Sequence, residues 1–147
     1  MTEQLEGAER AYADRLASLT PKQWDRLRSA LERVEAAPSM GSWSDHRRLE
    51  DGTRVLPSSS LSPEASDLVQ ALDDLGLHIA FDWLEWEDGN LAADRPGLVA
   101  QMSPAQAAMV IFIIWRTDRH ADGTLLEAFE RGVVQQAVLR MLDEKHP

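Results

Sequence analysis

Residues 103–115 read SPAQAAMVIFIIW, the most apolar segment of the chain. The segment opens with a helix-start signal, because Ser103 can cap the first turn and Gln106 can complete a capping box around the proline between them. The nine residues that follow are all apolar, so a helix formed by them has no polar face to present to water. We therefore predict a buried central helix over about 104–120, with four core side chains: Met109, Phe112, Ile113 and Ile114.

Helix-start signals of the same kind occur in four other segments, which contain Thr20, Ser62, Asp82 and Thr124. Apolar residues recur at steps of three and four on both sides of Thr20, which predicts a helical hairpin over residues 1–37. Segment 38–62 is rich in proline, glycine and serine and predicts a long irregular loop. With a helical core over 63–147, the sequence predicts an all-α fold: one compact domain of six or seven helices around the central helix, with no need for a sheet.

Length and composition restrict the class of protein. The chain has 147 residues, the size of one domain, and contains no cysteine, which excludes disulfides, thiol catalysis and thiolate metal sites. The N-terminal residues lack the basic and apolar regions of a secretory signal peptide, and the longest apolar run is far too short to cross a membrane. We expect a cytoplasmic protein without a membrane partner.

Negative charge is concentrated in one part of the chain. The formal net charge is -10, and nine acidic residues separate Arg54 from the next cation, Arg95. Such a stretch repels phosphate and attracts positive charge, so we expect no direct binding of nucleic acid and predict a basic protein partner for the acidic face over 64–94. The alternative is a solvated face that only keeps the protein soluble.

Tryptophan residues adjoin this acidic stretch. Trp83 and Trp86 would share one face of a helix that Asp82 begins, and Trp43 lies in the predicted loop. Exposed tryptophans often dominate binding surfaces, but at a helix start they are more often half-buried core. The residues predicted to contact a partner are Asp67, Asp73, Asp74, Trp83, Trp86, Glu87, Asp88 and Trp43.

The segment 116–123 has the highest density of titratable groups and follows the most apolar part of the central helix. Arginines, aspartates and a histidine at this point are able to bind an anion or exchange protons. The alternative is structural, because cations at a helix C-terminus complement its dipole and covered arginines need carboxylate partners. We predict that Arg119 contacts Asp82, Glu85 or Asp118. The cluster, for either role, comprises Asp82, Glu85, Arg116, Asp118, Arg119 and His120.

No cofactor, metal or catalytic residue is predicted. Asp118, His120 and Asp122 resemble the start of a calcium loop, but the third ligand is a histidine and Phe129 occupies the twelfth position, where glutamate is required. Zinc-protease, phosphate-loop and dinucleotide-binding motifs do not occur in the sequence. The sequence therefore favours a protein without enzymatic activity, and leaves that question open.

Several of these residues recur together in a known pattern. Phe81-Asp82-Trp83-x-x-Trp86, Arg116-x-Asp118-Arg119, Gly123-x-Leu125, Gly132-Val133 and Leu139-Arg140-x-Leu142 follow one another along the chain. Over roughly residues 64–145 the pattern resembles a bacterial family known only as a domain of unknown function, in which phenylalanine usually stands where this chain has His120. The resemblance implies that these residues act together, and it implies no activity.

Two functions remain open at this point. The first is a non-catalytic interaction or regulatory module whose acidic face binds a basic partner, for example as an inhibitor that imitates nucleic acid. The second is a small-ligand-binding protein or enzyme that uses Arg116, Asp118, Arg119 and His120. A concave pocket with unpaired arginines favours the second, and a flat acidic surface with internally paired arginines favours the first.

Overall fold

The computed structural model describes residues 2–44, 47–48, 52, 54–55 and 58–145. Over these residues the fold is a compact helical domain with eight α-helices, and no helix there is long and apolar enough to cross a membrane. The helices are α1 (Glu3–Ala17), α2 (Pro21–Ala36), α3 (Pro63–Asp73), α4 (Glu87–Ala92), α5 (Pro96–Val99), α6 (Pro104–Asp118), α7 (Thr124–Glu130) and α8 (Val133–Lys145). A 3-10 helix spans Trp83–Glu85, and the strands are β1 (Gly41–Trp43), β2 (Arg47–Arg48), β3 (Arg54–Val55) and β4 (Ser59–Leu61).

Helix α6 is the buried centre of the domain, as predicted. Ser103 and Gln106 form the expected capping box at its start. Its residues from Pro104 to Ile114 are all buried except Gln106, and the side chains of Met109, Phe112, Ile113 and Ile114 are at most 3% exposed. Helices α1, α4, α7 and α8 pack around α6, so its apolar surface organises the core.

The two N-terminal helices do not form the predicted hairpin. A capping box begins α2 at Thr20, as expected from the sequence. However, α1 packs mainly on α6, whereas α2 packs on α3 and α8. The loop between the helices is short, but their apolar stripes pack mainly on α6, α3 and α8 rather than on each other.

The segment that Asp82 begins differs from the single helix predicted. Asp82 makes no capping hydrogen bond, and only the 3-10 helix follows it. The chain bends at Trp86, and α4 begins at Glu87. Pro96 starts the short helix α5, because proline suits the first position of a helix. Helix α5 is the additional element, and it brings the number of α-helices among the described residues to eight, one more than the upper number predicted.

The predicted loop over 38–62 contains regular structure. Strands β1 and β4 pair antiparallel, with Ser42 opposite Ser60, and β2 pairs antiparallel with β3. The expectation that no sheet is needed is therefore wrong for this segment, which forms two small two-stranded sheets. The β1–β4 pair lies against the start of α7, where Ser59 hydrogen-bonds to Asp122 through both its backbone N–H and its hydroxyl, at 3.1 and 2.9 Å.

The chain between α3 and the 3-10 helix is held by one buried tyrosine. The Tyr12 hydroxyl donates to the carbonyls of Leu77 and Ile79, at 3.2 and 2.9 Å. These bonds satisfy two acceptors of a segment without regular structure, which burial would otherwise leave unpaired. They fix the backbone on both sides of His78 and thereby position that side chain.

Candidate functional site

A cleft opens where the C-terminal end of α6 meets the C-terminal end of α3 and the segment after it. One cavity of about 400 Å³ is lined by Asp73, His78, Phe112, Trp115, Arg116 and Arg119. A second cavity of about 340 Å³ shares Asp73, His78, Trp115 and Arg119 with the first and adds Ser66, Val69, Gln70 and Asp118. Because the cavities share four lining residues, we treat them as one site and call it the arginine cleft.

His78 forms a wall that both cavities share. Its Nε2 atom is hydrogen-bonded to Oδ1 of Asp73 at 2.5 Å. Its ring stacks on Trp115, with ring centroids 4.4 Å apart and an angle of 19° between the planes. The left-handed turn at Gly76, where φ is +72°, reverses the chain between Asp73 and His78 and lets the two side chains meet. The imidazole is thus held in place before any ligand binds.

The two arginines of the cleft have no carboxylate partner within the part of the chain that the structure describes. The Arg116 guanidinium carbon lies 5.3 Å from the centre of the Phe112 ring, a cation–π contact, and Arg119 is exposed. Arg26 and Arg33, in contrast, both pair with Asp67. The donor groups of Arg116 and Arg119 therefore remain available to a ligand.

The predicted ionic network around Arg119 is wrong. Asp82 and Glu85 are exposed and form no ion pair with either cleft arginine. Asp118 lines the second cavity beside Arg119, but the hydrogen bond that its Oδ1 accepts comes from the backbone N–H of Leu125, at 3.0 Å. Residues 82–85 form a 3-10 turn before the bend at Trp86, and this turn leaves both carboxylates at the surface while Trp83 packs inward.

The remaining residues of the predicted cluster divide between different tasks. His120 is exposed in the turn after α6 and does not line the arginine cleft. Asp122, which lies in the same segment but outside the predicted cluster, accepts the two hydrogen bonds from Ser59 and so anchors β4. The structure thus brings Arg116, Asp118 and Arg119 to the cleft and leaves His120 outside it.

Sequence reasoning did not assign to this site the cleft residues Asp73, His78, Trp115, Ser66, Val69 and Gln70. Asp73 was assigned to the acidic face, and Trp115 was only the end of the apolar run. The available signal was the spacing of Asp73 and His78 around Gly76, because a glycine after a helix marks a chain reversal. The stack between His78 and Trp115 had no signal, since it depends on how α6 packs.

The acidic stretch is partly neutralised by cations from elsewhere in the chain. Arg26 binds both carboxylate oxygens of Asp67, at 2.7 and 3.0 Å, and Arg33 adds a third contact. The hydrogen bonds from Arg26 lower the pKa of Asp67. Asp73 is hydrogen-bonded to His78, Asp74 accepts a hydrogen bond from Gln70, and Asp94 lies within 4 Å of two arginines. The acids of the stretch that form neither an ion pair nor a side-chain hydrogen bond among the described residues are Glu64, Asp82, Glu85, Glu87 and Asp88.

The tryptophans predicted for a partner have structural roles. Trp86 is only 4% exposed, and its ring covers Gly89 so closely that a Cβ at that glycine would overlap it. Trp83 is half-buried and packs against the core, so the core interpretation of this pair is confirmed. Trp43 keeps 41% of its surface exposed, but its ring rests on Gly123 and its indole N–H donates to Glu130 at 3.2 Å.

The grouping of the acidic and histidine side chains shows whether the described residues could hold a metal ion. Among the described residues, no three histidine, aspartate or glutamate side chains are grouped so that they could hold a metal ion.

A family model described as a family of unknown function, DUF6508, matches residues 19–145. The chain belongs to this family. The DUF6508 match begins well before residue 64, where the resemblance in the motifs began, and therefore includes α2 and segment 38–62. No curated protein and no solved structure matches the chain.

Proposed function

We propose that this protein binds a small anionic ligand in the arginine cleft. The observation that carries the proposal is the pair Arg116, in the last turn of α6, and Arg119, at its C-cap, which both line the cavity without an ion pair to any described residue. Guanidinium groups offer several N–H donors in a planar fork that matches carboxylate and phosphate oxygens. An anion supplies the partner that the rest of the described chain does not.

The shape of the cleft supports a small ligand rather than a macromolecule. Its larger cavity, about 400 Å³, lies in the range of roughly 300–1,000 Å³ that is usual for small-molecule sites. Phe112, Trp115 and His78 form walls that are held by packing and stacking. Rigid walls reduce the conformational entropy that binding would otherwise cost.

The test measures binding of inorganic phosphate by titration calorimetry at low ionic strength. We expect phosphate to bind the unmodified protein and Arg119→Gln or Arg116→Gln to weaken binding at least about tenfold, because each substitution removes charge-assisted hydrogen bonds. Arg10→Gln is the matched control, since Arg10 is an exposed arginine on α1, away from the cleft. No binding, or equal binding by the Arg119→Gln and Arg10→Gln variants, contradicts the proposal.

The same variants separate ligand binding from stability. Arg119 is exposed and has no ion pair within the described residues, so Arg119→Gln is expected to leave the free energy of unfolding nearly unchanged. A loss of binding with an unchanged denaturation midpoint then reports the site itself. A large loss of stability would instead support the structural role of this cluster.

A basic protein partner is the second candidate function. The observation that favours it is a remnant of the acidic face over 82–88, where four exposed carboxylates form no ion pair among the described residues and Leu84 is 71% exposed: Asp82, Glu85, Glu87 and Asp88. Clustered negative charge raises the rate of encounter with a positive partner, and an exposed leucine adds apolar contact area. The inhibitor that imitates nucleic acid is one form of this candidate.

A further inference from the structure

We infer that the ligand of the arginine cleft is a phosphate monoester that carries hydroxyl groups. The inference rests on the proposed anion binding. It concerns the polar groups of the second cavity, which have no role if the ligand contacts only the arginines. The two cavities differ in chemistry although they share Asp73, His78, Trp115 and Arg119. The first adds a second guanidinium, and the second adds a hydroxyl, an amide and a carboxylate.

The end of the cleft at Arg116 and Arg119 suits a phosphate group. The two guanidiniums come from the last turn and the C-cap of α6, and together they present more N–H donors than the two oxygens of a carboxylate can accept. A phosphate monoester has three terminal oxygens and close to two negative charges near neutral pH, so it can use both side chains. Phe112 lies beneath Arg116 and limits where that guanidinium can move.

The other end of the cleft suits hydroxyl groups. The Oδ1 atom of Asp118 accepts the N–H of Leu125, and no hydrogen bond within the described residues engages Oδ2. The Gln70 amide nitrogen donates to Asp74, and its carbonyl oxygen makes no hydrogen bond to a described residue. Oδ2 of Asp118 and the carbonyl oxygen of Gln70 can only accept hydrogen bonds, and the Ser66 hydroxyl can accept one too, so hydroxyl groups of a ligand can donate to all three.

The same carboxylates exclude other anions. Asp73 and Asp118 lie in the cleft together with the arginines, so a second anionic group on the ligand would be placed close to negative charge. Dicarboxylates and ligands with several phosphates are therefore disfavoured. A neutral polyol is also disfavoured, because it leaves the two guanidiniums without an anion.

The decisive experiment compares glycerol 3-phosphate with propyl phosphate by titration calorimetry. The two esters have the same phosphate group and the same number of carbon atoms, and they differ only in two hydroxyl groups. We expect glycerol 3-phosphate to bind at least about tenfold more tightly to the unmodified protein, as one or two additional hydrogen bonds to charged or polar acceptors allow. Asp118→Asn and Gln70→Ala should reduce this ratio towards one, and Glu87→Gln, outside the cleft, should not change it.

The outcomes separate this inference from the proposed function. Equal affinity for the two esters, with both lost in Arg119→Gln, overturns the inference and leaves anion binding intact. Absence of binding by both esters and by inorganic phosphate overturns both. Asp118→Asn retains an oxygen that can accept the Leu125 N–H, so we expect this variant to fold. If it does not fold, Gln70→Ala supplies the same comparison of the two esters, because Gln70 is exposed on α3 and its loss should not disturb the fold.

Discussion

Tyr12 shows how one side chain sets the position of a site that it does not touch. It is fully buried, and its hydroxyl holds the backbone at Leu77 and Ile79, on both sides of His78. Burial raises the pKa of the Tyr12 hydroxyl above its ordinary value of 10.0, because the ionised form would lose its hydration. The folded state therefore favours the neutral tyrosine.

The raised pKa predicts a specific loss of stability in alkali. Between the unfolded and the folded pKa, only the unfolded chain releases the proton, so the free energy of unfolding falls as the pH rises above about 10. Tyr12 is the only tyrosine, so tyrosinate absorbance reports it alone. We expect its titration midpoint to lie well above 10 in the folded protein and near 10 in denaturant.

Tyr12→Phe provides the matched comparison for this prediction. It removes the hydroxyl and keeps the ring, so we expect a loss of about 1 kcal/mol at neutral pH from the broken hydrogen bonds. The variant should also be less sensitive to pH above about 10. A titration midpoint near 10 for Tyr12 in the folded protein would show that the hydroxyl is open to water.

At the scale of elements, α6 carries the largest share of the core. Phe112 is 3% exposed and lies against Phe81, with ring centroids 5.2 Å apart. Phe112→Ala is expected to lower the free energy of unfolding by about 3–5 kcal/mol, through lost burial and the cavity that remains. Leu139→Ala, on an exposed part of α8, should cost far less. Urea denaturation measures both, and a loss under about 1 kcal/mol for Phe112→Ala would contradict this view of the core.

A salt bridge joins α2 to α3. Asp67 on α3 binds Arg26 in a two-pronged contact and also pairs with Arg33, and about a third of its side chain is exposed. Exposure to solvent limits the contribution, so we expect Asp67→Asn to cost about 1 kcal/mol at pH 7. Asp25→Asn is the control, because Asp25 is largely exposed and pairs with Arg28 of its own helix.

The same salt bridge predicts how stability depends on acid. The pKa of Asp67 is lower in the folded state, so its contribution is complete above the unfolded pKa near 4 and is lost as the pH falls through the lower folded pKa. Between neutral pH and about pH 3, the free energy of unfolding should therefore change less with pH for Asp67→Asn than for Asp25→Asn, as measured by denaturation at each pH. Equal pH dependence of the two variants would show that the α2–α3 pair contributes nothing.

At the scale of the whole molecule, folding redistributes the charge. The chain is cation-free from residue 55 to 94, but Arg26 and Arg33 approach Asp67, and Arg131 approaches Asp94. The acidic face predicted over 64–94 is therefore smaller in three dimensions than in the sequence. What remains without an ion pair among the described residues lies mainly over 82–88.

The reduced face yields a test of the second candidate function. We expect the variant Asp82→Asn, Glu85→Gln, Glu87→Gln, Asp88→Asn to lose salt-sensitive capture of a basic protein from extract. The control variant Glu3→Gln, Glu6→Gln, Asp14→Asn, Glu35→Gln removes the same charge from exposed positions on α1 and α2. Equal loss in both variants would mean that net charge alone attracts the partner, and unchanged capture in both would remove this candidate.

The sequence by itself determined the helical class, the central helix and several of the helix starts. Capping signals and apolar periodicity act within a few residues, so Ser103, Gln106 and the run after them were sufficient to locate α6. The family pattern also lies in the sequence, although the match extends further towards the N-terminus than the motifs indicated.

Only the tertiary structure decided which charges are paired. An ion pair depends on distances of a few ångströms between side chains far apart in the chain, and no periodicity encodes them. Asp67 therefore proved to be a structural anchor, while Arg116 and Arg119 remained without a partner among the described residues. The arginine cleft exists because packing brings His78 onto Trp115, and Tyr12 holds the segment that makes this contact.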